Sequence, residues 1–283
     1  MAAHEDNTEV QMTNADGERE KWQLAQLWGL DIPAVALCWA LFFARILKIT
    51  TVTTGPLLVI AGSAWCSIMA ARLIRSILTP DSRHALFYRS HLALIVILVF
   101  AVGMATVWML LYYVGVSLLH YALFPAGLLL AALPLSGSVL SELKLLLQSM
   151  ALALLCAVPA FYFSFTLSPL SMLFTPPVLY LGILFYLVSR EQLRLQANRR
   201  QDFYSVICTV VLLVLLITEA QSGTHTPQYI KQMSITVAIG AGCLQGFSRL
   251  SRRLPEGVAQ GICWIVMTLP AALGILLYAP RCR

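Results

Sequence analysis

After a polar start, the chain is a succession of long apolar runs separated by short polar breaks. The runs lie at 32–49, 55–78, 91–113, 117–134, 144–165, 171–189, 203–219, 232–248 and 258–279. Each is continuously apolar and does not alternate, which predicts helices and argues against the strands of a β-barrel. A bilayer core takes roughly 20 apolar helical residues, fewer where a helix is short or buried among others. The pattern therefore predicts an all-α polytopic membrane bundle of about nine transmembrane helices. The fourth and eighth runs are the weakest, because Pro125 interrupts one and the other is short and carries Gln245. Pro125, Pro134, Pro159 and Pro270 fall within or at the ends of runs, where neighbouring helices can satisfy the freed carbonyls.

The charges orient this arrangement. With the N-terminus inside, 14 basic residues fall on the inner side: Arg19, Lys21, Arg72, Arg75, Arg83, Arg89, Lys144, Arg190, Arg194, Arg199, Arg200, Arg249, Arg252 and Arg253. Only 4 fall outside, namely Lys48, Lys231, Arg281 and Arg283, while Arg45 sits inside the first run. This positive-inside asymmetry predicts a cytoplasmic N-terminus. Composition agrees: 59% of residues are hydrophobic, only 11% are charged, and mean hydropathy is +0.79. A water-soluble globule of 283 residues would leave large apolar patches in water. Residues 1–30 read as a disordered, acidic cytoplasmic tail and 31–283 as a single transmembrane helical domain. Through Asp31 there are seven acids against Arg19 and Lys21, so the overall charge of +6 masks a more basic body.

Candidate chemistry is sparse. Six of the seven cysteines lie in predicted spans with no CxxC, HExxH or His-rich tract, which suits small packing residues and predicts no metal site. Beyond Asp31 the acids are Asp81, Glu142, Glu191, Asp202, Glu219 and Glu256, all in loops or at span ends. No two stand at a spacing that pairs carboxylates on one helical face, so no magnesium clamp for a diphosphate is evident and no cofactor is predicted. No Walker A motif, GxSxG or Ser-His-Asp context occurs.

One segment concentrates cations and aromatics at the inner interface. It comprises the end of the second span and the loop after it, with Arg72, Arg75, Arg83, His84, Tyr88, Arg89 and His91. Guanidinium forks suit phosphate oxygens and aromatic rings suit the headgroup layer, so these seven residues form a candidate lipid-phosphate site. The plain alternative is an inner loop whose basic residues snorkel to the surface. A second basic stretch, 189–202, reads as contact with anionic lipids. Gly242 and Gly246, with Ala238 a turn earlier, form a GxxxG that reads first as internal helix packing and second as a face for oligomerisation.

Nine spans, a cytoplasmic N-terminus and a motif-bearing loop after the second span resemble the UbiA superfamily of intramembrane prenyltransferases. The chain is similar to a divergent branch in which the second helix ends W-x-x-Y-x-x-D-R-L-L-D and is followed by R-H-x-F-Y-R-x-H. Trp65, Arg72 and Leu73 match the first pattern, and Arg83, His84, Phe87, Tyr88, Arg89 and His91 resemble the second. Leu140-Ser-Glu-Leu-Lys144 resembles the same branch's approach to its fifth helix. The family holds magnesium and a prenyl diphosphate on two Asp-rich motifs. Here Ala71 and Arg75 stand where the first motif places acids, and only Glu191 and Asp202, set among arginines, follow the sixth span. The resemblance thus implies a UbiA-like helical arrangement without metal-dependent prenyl transfer, with catalytic residues unassigned. The expected partners are membrane lipids, including an isoprenoid or polyprenyl phosphate head group held at the cytoplasmic face, and no nucleic acid. The rival readings are a small transporter or channel, which a polar stripe through several spans would favour, and a structural membrane protein.

Overall fold

A computed structural model describes residues 27–49, 54–78, 83–114, 119–132, 135, 138–164, 169–196, 203–222, 227–251, 254 and 256–278. Among the described residues every regular element is helical. In chain order they are α1 (Asp31–Ile46), α2 (Thr54–Leu78), α3 (Arg83–Ser90) and α4 (Leu92–Met109), which runs into a π-turn at Leu110–Val114. There follow α5 (Leu119–Ala132), α6 (Ser138–Ser164), the short α7 (Pro169–Leu173), α8 (Pro176–Gln196), α9 (Phe203–Gln221), α10 (Gln228–Leu250) and α11 (Glu256–Leu277). Each apolar run in the sequence carries one of the longer helices. Three segments are long and apolar enough to cross a membrane: Thr54–Ile74, Leu92–Tyr112 and Leu140–Phe161. Ser205–Gln221 and Gly261–Leu277 are apolar but shorter. The protein is an all-helical membrane protein.

The local rules are visible at the helix ends. Gly29 takes a left-handed φ of 63° just before α1, where a Cβ would also press on Ile68, Met69 and Arg72. Pro176 and Pro177 open α8, where their missing N–H groups cost no helical bond. Asp31 lies in the first turn of α1 and Arg45 in its last, both of which complement the helix dipole.

The centre of the bundle is built from α1, α6, α8, α10 and α11, which pack on one another. Trp39, Phe42 and Phe43 of α1 are fully buried, and Trp39 meets the rings of Phe42 and Phe185 edge to face. Phe43 meets Phe161 of α6 in the same way, with centroids 5.9 Å apart. Around this centre α4 packs on α2, α5 on α6, and α9 on α10. α4 is apolar on every side and turns Ile97, Phe100, Met104 and Trp108 outward. Only lipid accommodates such a surface. Where α4 crosses α2, Gly62 lies so close to Thr106 that a Cβ would overlap its hydroxyl.

Polar links sort the helix ends. Arg72 of α2 stands 3.7 Å from Asp31 of α1, Arg190 of α8 donates to Glu142 of α6 at 3.1 Å, and Arg194 of α8 donates to Ser251 after α10 at 3.2 Å. The starts of α1 and α6 and the ends of α2, α8 and α10 therefore share one pole. At the opposite ends of α8 and α9, Tyr180 donates to Glu219 at 3.3 Å. Lys231 donates to the Ser222 carbonyl at 2.5 Å, which ties α10 back to the end of α9.

Two expectations change here. Gly242 and Gly246 are exposed, and a Cβ added at either would meet nothing within 4 Å. They do not admit a neighbouring helix of the same chain. α10 instead uses its other faces, with Gln245 donating to Thr209 of α9 at 2.8 Å. Leu27–Leu30, which the sequence reading counts with the acidic tail, pack on α2 and α3 through Trp28 and Gly29. Residues 1–26 lie outside the described ones.

Candidate functional site

The basic and aromatic segment singled out from the sequence divides in two. Its aromatic part turns inward. Tyr88 of α3 is buried and donates from its hydroxyl to the Leu27 carbonyl at 2.5 Å. Trp65 of α2 donates from its indole nitrogen to the Trp28 carbonyl at 2.8 Å. Trp28 meets Phe87 edge to face at 5.9 Å, and these rings surround a small core of Met69, Tyr88 and Ile95. The aromatics that suggested a headgroup layer thus clasp the strap Leu27–Leu30 onto α2 and α3. A ring in this position gains more by excluding water from Met69 and Ile95 than by standing at the surface. Removing the hydroxyl with Tyr88→Phe should cost about 1 kcal/mol. It should raise amide hydrogen exchange at residues 27–30 and leave α6 and α8 unchanged; equal protection in both proteins would count against the clasp.

The described members of the cationic part, Arg72, Arg89 and His91, do not line one cavity. Arg89 and His91 are exposed, and the His91 ring stacks on Phe87 at 4.7 Å with Nδ1 2.8 Å from the Ser90 hydroxyl. The side chains of Arg75, Arg83 and His84 lie outside the described ones; their backbones belong to the last turn of α2 and the first of α3. Arg72 is the one described side chain of the seven that lines a cavity.

That cavity, about 370 Å³, is walled by α1, α2, α5, α6, α8 and α11. Its lining is graded. At the pole where Arg72 and Asp31 meet, it presents Arg72 and Ser67 from α2, Gln148 from α6, and Ser189 and Gln192 from α8, with Leu145 and Leu193 beside them. One to two turns further along α6, roughly 6–10 Å deeper at 1.5 Å per residue, the wall is Leu152 and Leu155, with Phe185 and Trp264 facing the same space. Gln148 and Gln192 make no side-chain hydrogen bond among the described residues, so their amides are available to a ligand. Ser63 and Ser149 also line the cavity but spend their hydroxyls on the carbonyls of Val59 and Leu145. Among the described residues no carboxylate lines the cavity. α2 packs on α1, α3 and α4, and α5 chiefly on α6, so among the described residues these two walls share no extended seam.

Asp31 stands just behind Arg72. Its Oδ1 is buried, makes no hydrogen bond, and lies 3.7 Å from the Arg72 guanidinium. Glu191, one of two acids near a second family motif, is committed elsewhere. It is buried against Arg194, which donates from Nε to Oε2 at 2.8 Å and from Nη2 to Oε1. The other, Asp202, lies outside the described residues. Among the described residues no three His, Cys, Asp or Glu side chains gather as a metal would require.

Sequence reading passed over Gln148 and Gln192. The signal was present, since Gln148 interrupts an apolar run and Gln192 sits one turn beyond another, but attention to carboxylates alone misses carboxamides. No family model, curated protein or solved structure matches the chain.

Proposed function

We propose that the protein binds an isoprenoid or other lipid phosphate in the cavity between α2, α5, α6 and α8, without metal-dependent prenyl transfer. The graded lining carries this reading. One guanidinium and two unpartnered carboxamides gather at one end, and leucine, phenylalanine and tryptophan form the other, which is the polarity of an amphiphile lying head to pole. A phosphate suits Arg72, and the described lining carries no pair of carboxylates that would hold magnesium. The missing seam between α2 and α5 gives such a molecule a lateral way in from the bilayer. In this reading the nine longer helices are nine spans, the pole bearing Arg72, Arg190 and Arg194 is cytoplasmic by the positive-inside rule, and the arrangement is UbiA-like in a bacterial inner membrane. The outward Gly242 and Gly246 offer the surface for any self-association.

Native mass spectrometry of protein purified in mild detergent tests the ligand class. The expected result is a co-purified polyprenyl phosphate or anionic phospholipid. Leu152→Trp, which fills the apolar end, should strip that species at least tenfold while the protein stays folded. Retention of the same lipid by the filled variant would place it outside the cavity and sink the proposal.

A further inference from the structure

Arg72 holds two positions at once. It lines the cavity, yet its nearest described carboxylate is Asp31, which is not among the described residues lining the ligand space. The contact between them is loose. At 3.7 Å the pair is beyond a good charge-assisted hydrogen bond, and Asp31 Oδ1 is buried with no hydrogen-bond partner. The strap keeps both groups in place. The carbonyls of Leu27 and Trp28 are held by Tyr88 and Trp65, and Gly29 packs on Ile68, Met69 and the Arg72 guanidinium. Asp31 follows two residues later, and its neighbour Ile32 is part of the cavity wall.

We propose that Asp31 is a resident counter-ion of Arg72 that an anionic head group entering the cavity displaces. This rests on the lipid-phosphate reading above and adds what sets its affinity. With the cavity empty, Asp31 is the described carboxylate beside the half-buried guanidinium. A phosphate at the polar end can accept two parallel N–H bonds from the fork at ordinary hydrogen-bond distance, which Asp31 does not do. Arg72 then pairs with the ligand, and Asp31 opposes binding by like-charge repulsion across the same guanidinium. Asp31 thus sets the affinity: it opposes a phosphate, which must displace it from Arg72, and leaves an uncharged amphiphile unaffected.

Equilibrium binding of farnesyl monophosphate and of uncharged farnesol, measured on the full chain in detergent micelles, tests the exchange. Asp31→Asn should tighten farnesyl monophosphate about tenfold and leave farnesol unchanged. Arg72→Gln should reduce farnesyl monophosphate to the farnesol level, and the double variant should match Arg72→Gln alone. Asp31→Ser, a second uncharged replacement, repeats the test should the Asn variant fold poorly. If both Asp31 variants bind the phosphate no more tightly than wild type while Arg72→Gln still loses it, Asp31 only positions Arg72; the exchange is then overturned and the lipid-phosphate reading survives. Tightening that persists without Arg72 overturns the exchange as well. Farnesyl monophosphate binding no better than farnesol in wild type and both Asp31 variants overturns the exchange and the phosphate reading for this head group together. Phosphatidic acid against diacylglycerol, run in parallel, tells a diacyl from an isoprenoid source. The same dependence on Asp31 and Arg72 is expected for whichever phosphate binds, and its absence there overturns the exchange.

Discussion

Replacing Arg194 with methionine should destabilise the protein by about 3–5 kcal/mol, the largest effect expected of any single polar substitution here. The reason is what remains behind. Glu191 and Arg194 are 3% and 8% exposed, and the guanidinium meets both carboxylate oxygens at once. In that environment the pair itself is worth little, because desolvating two charges offsets most of their attraction. A lone Glu191 has no such compensation. Arg194 also donates to Ser251 at 3.2 Å, so its loss unties α8 from the end of α10. Thermal or denaturant unfolding in detergent micelles measures the effect. The double variant Glu191→Leu with Arg194→Met, which leaves apolar side chains of similar bulk, should recover most of the loss. A single variant within 1 kcal/mol of wild type, or a double variant worse than the single, would show that the pair is not buried as described.

Adding volume at Gly274 should be nearly as damaging. A Cβ there would overlap the ring of Phe42, which is fully buried and edge-on to Trp39. Gly274→Val forces α11 away from α1 or rotates Phe42 out of its packed position, at a cost of about 3 kcal/mol. Gly242→Val is the control, because a Cβ at 242 meets nothing within 4 Å. The two substitutions add the same atoms to apolar helices of one protein. Equal unfolding temperatures for the two variants would mean that the close approach of α1 and α11 is not what fills this part of the core.

The two glycine sites also show where pattern reading succeeds and where it stops. Gly242 and Gly246 stand at the spacing that permits close helix contact, and Gly274 has no motif at all, yet it is Gly274 that carries a close contact. Spacing says which residues share a face of one helix. It does not say whether another helix lies against that face. The same holds for the ion pair. Glu191 and Arg194 are three apart on a helix and can meet from spacing alone, but that they are buried is a property of α8 lying against α10 and α11.

The cavity was legible in part. Arg72 stood out because a cation at the end of an apolar run is rare enough to notice. Tyr88 and Trp65 stood out for the same positional reason but do another task, since their hydroxyl and indole groups satisfy strap carbonyls that apolar packing had cut off from water. Gln148 and Gln192 belong to helices separated by a full connection, and nothing local relates them. They face one space because α6 and α8 form the most extensive helix pair of the bundle.

What the sequence by itself determined is the class of protein and its elements. Apolar runs of membrane length can satisfy their backbones only as helices in lipid, so composition and periodicity settle an all-helical membrane chain without reference to its packing. The order of those helices in space was decided by tertiary contacts, and so were the cavity between them and the pairing of Arg72 with Asp31. In lipid the apolar faces have no preference between a neighbouring helix and an acyl chain. Small residues, aromatic shapes and a few polar links therefore choose the neighbours, and these act only once the helices meet.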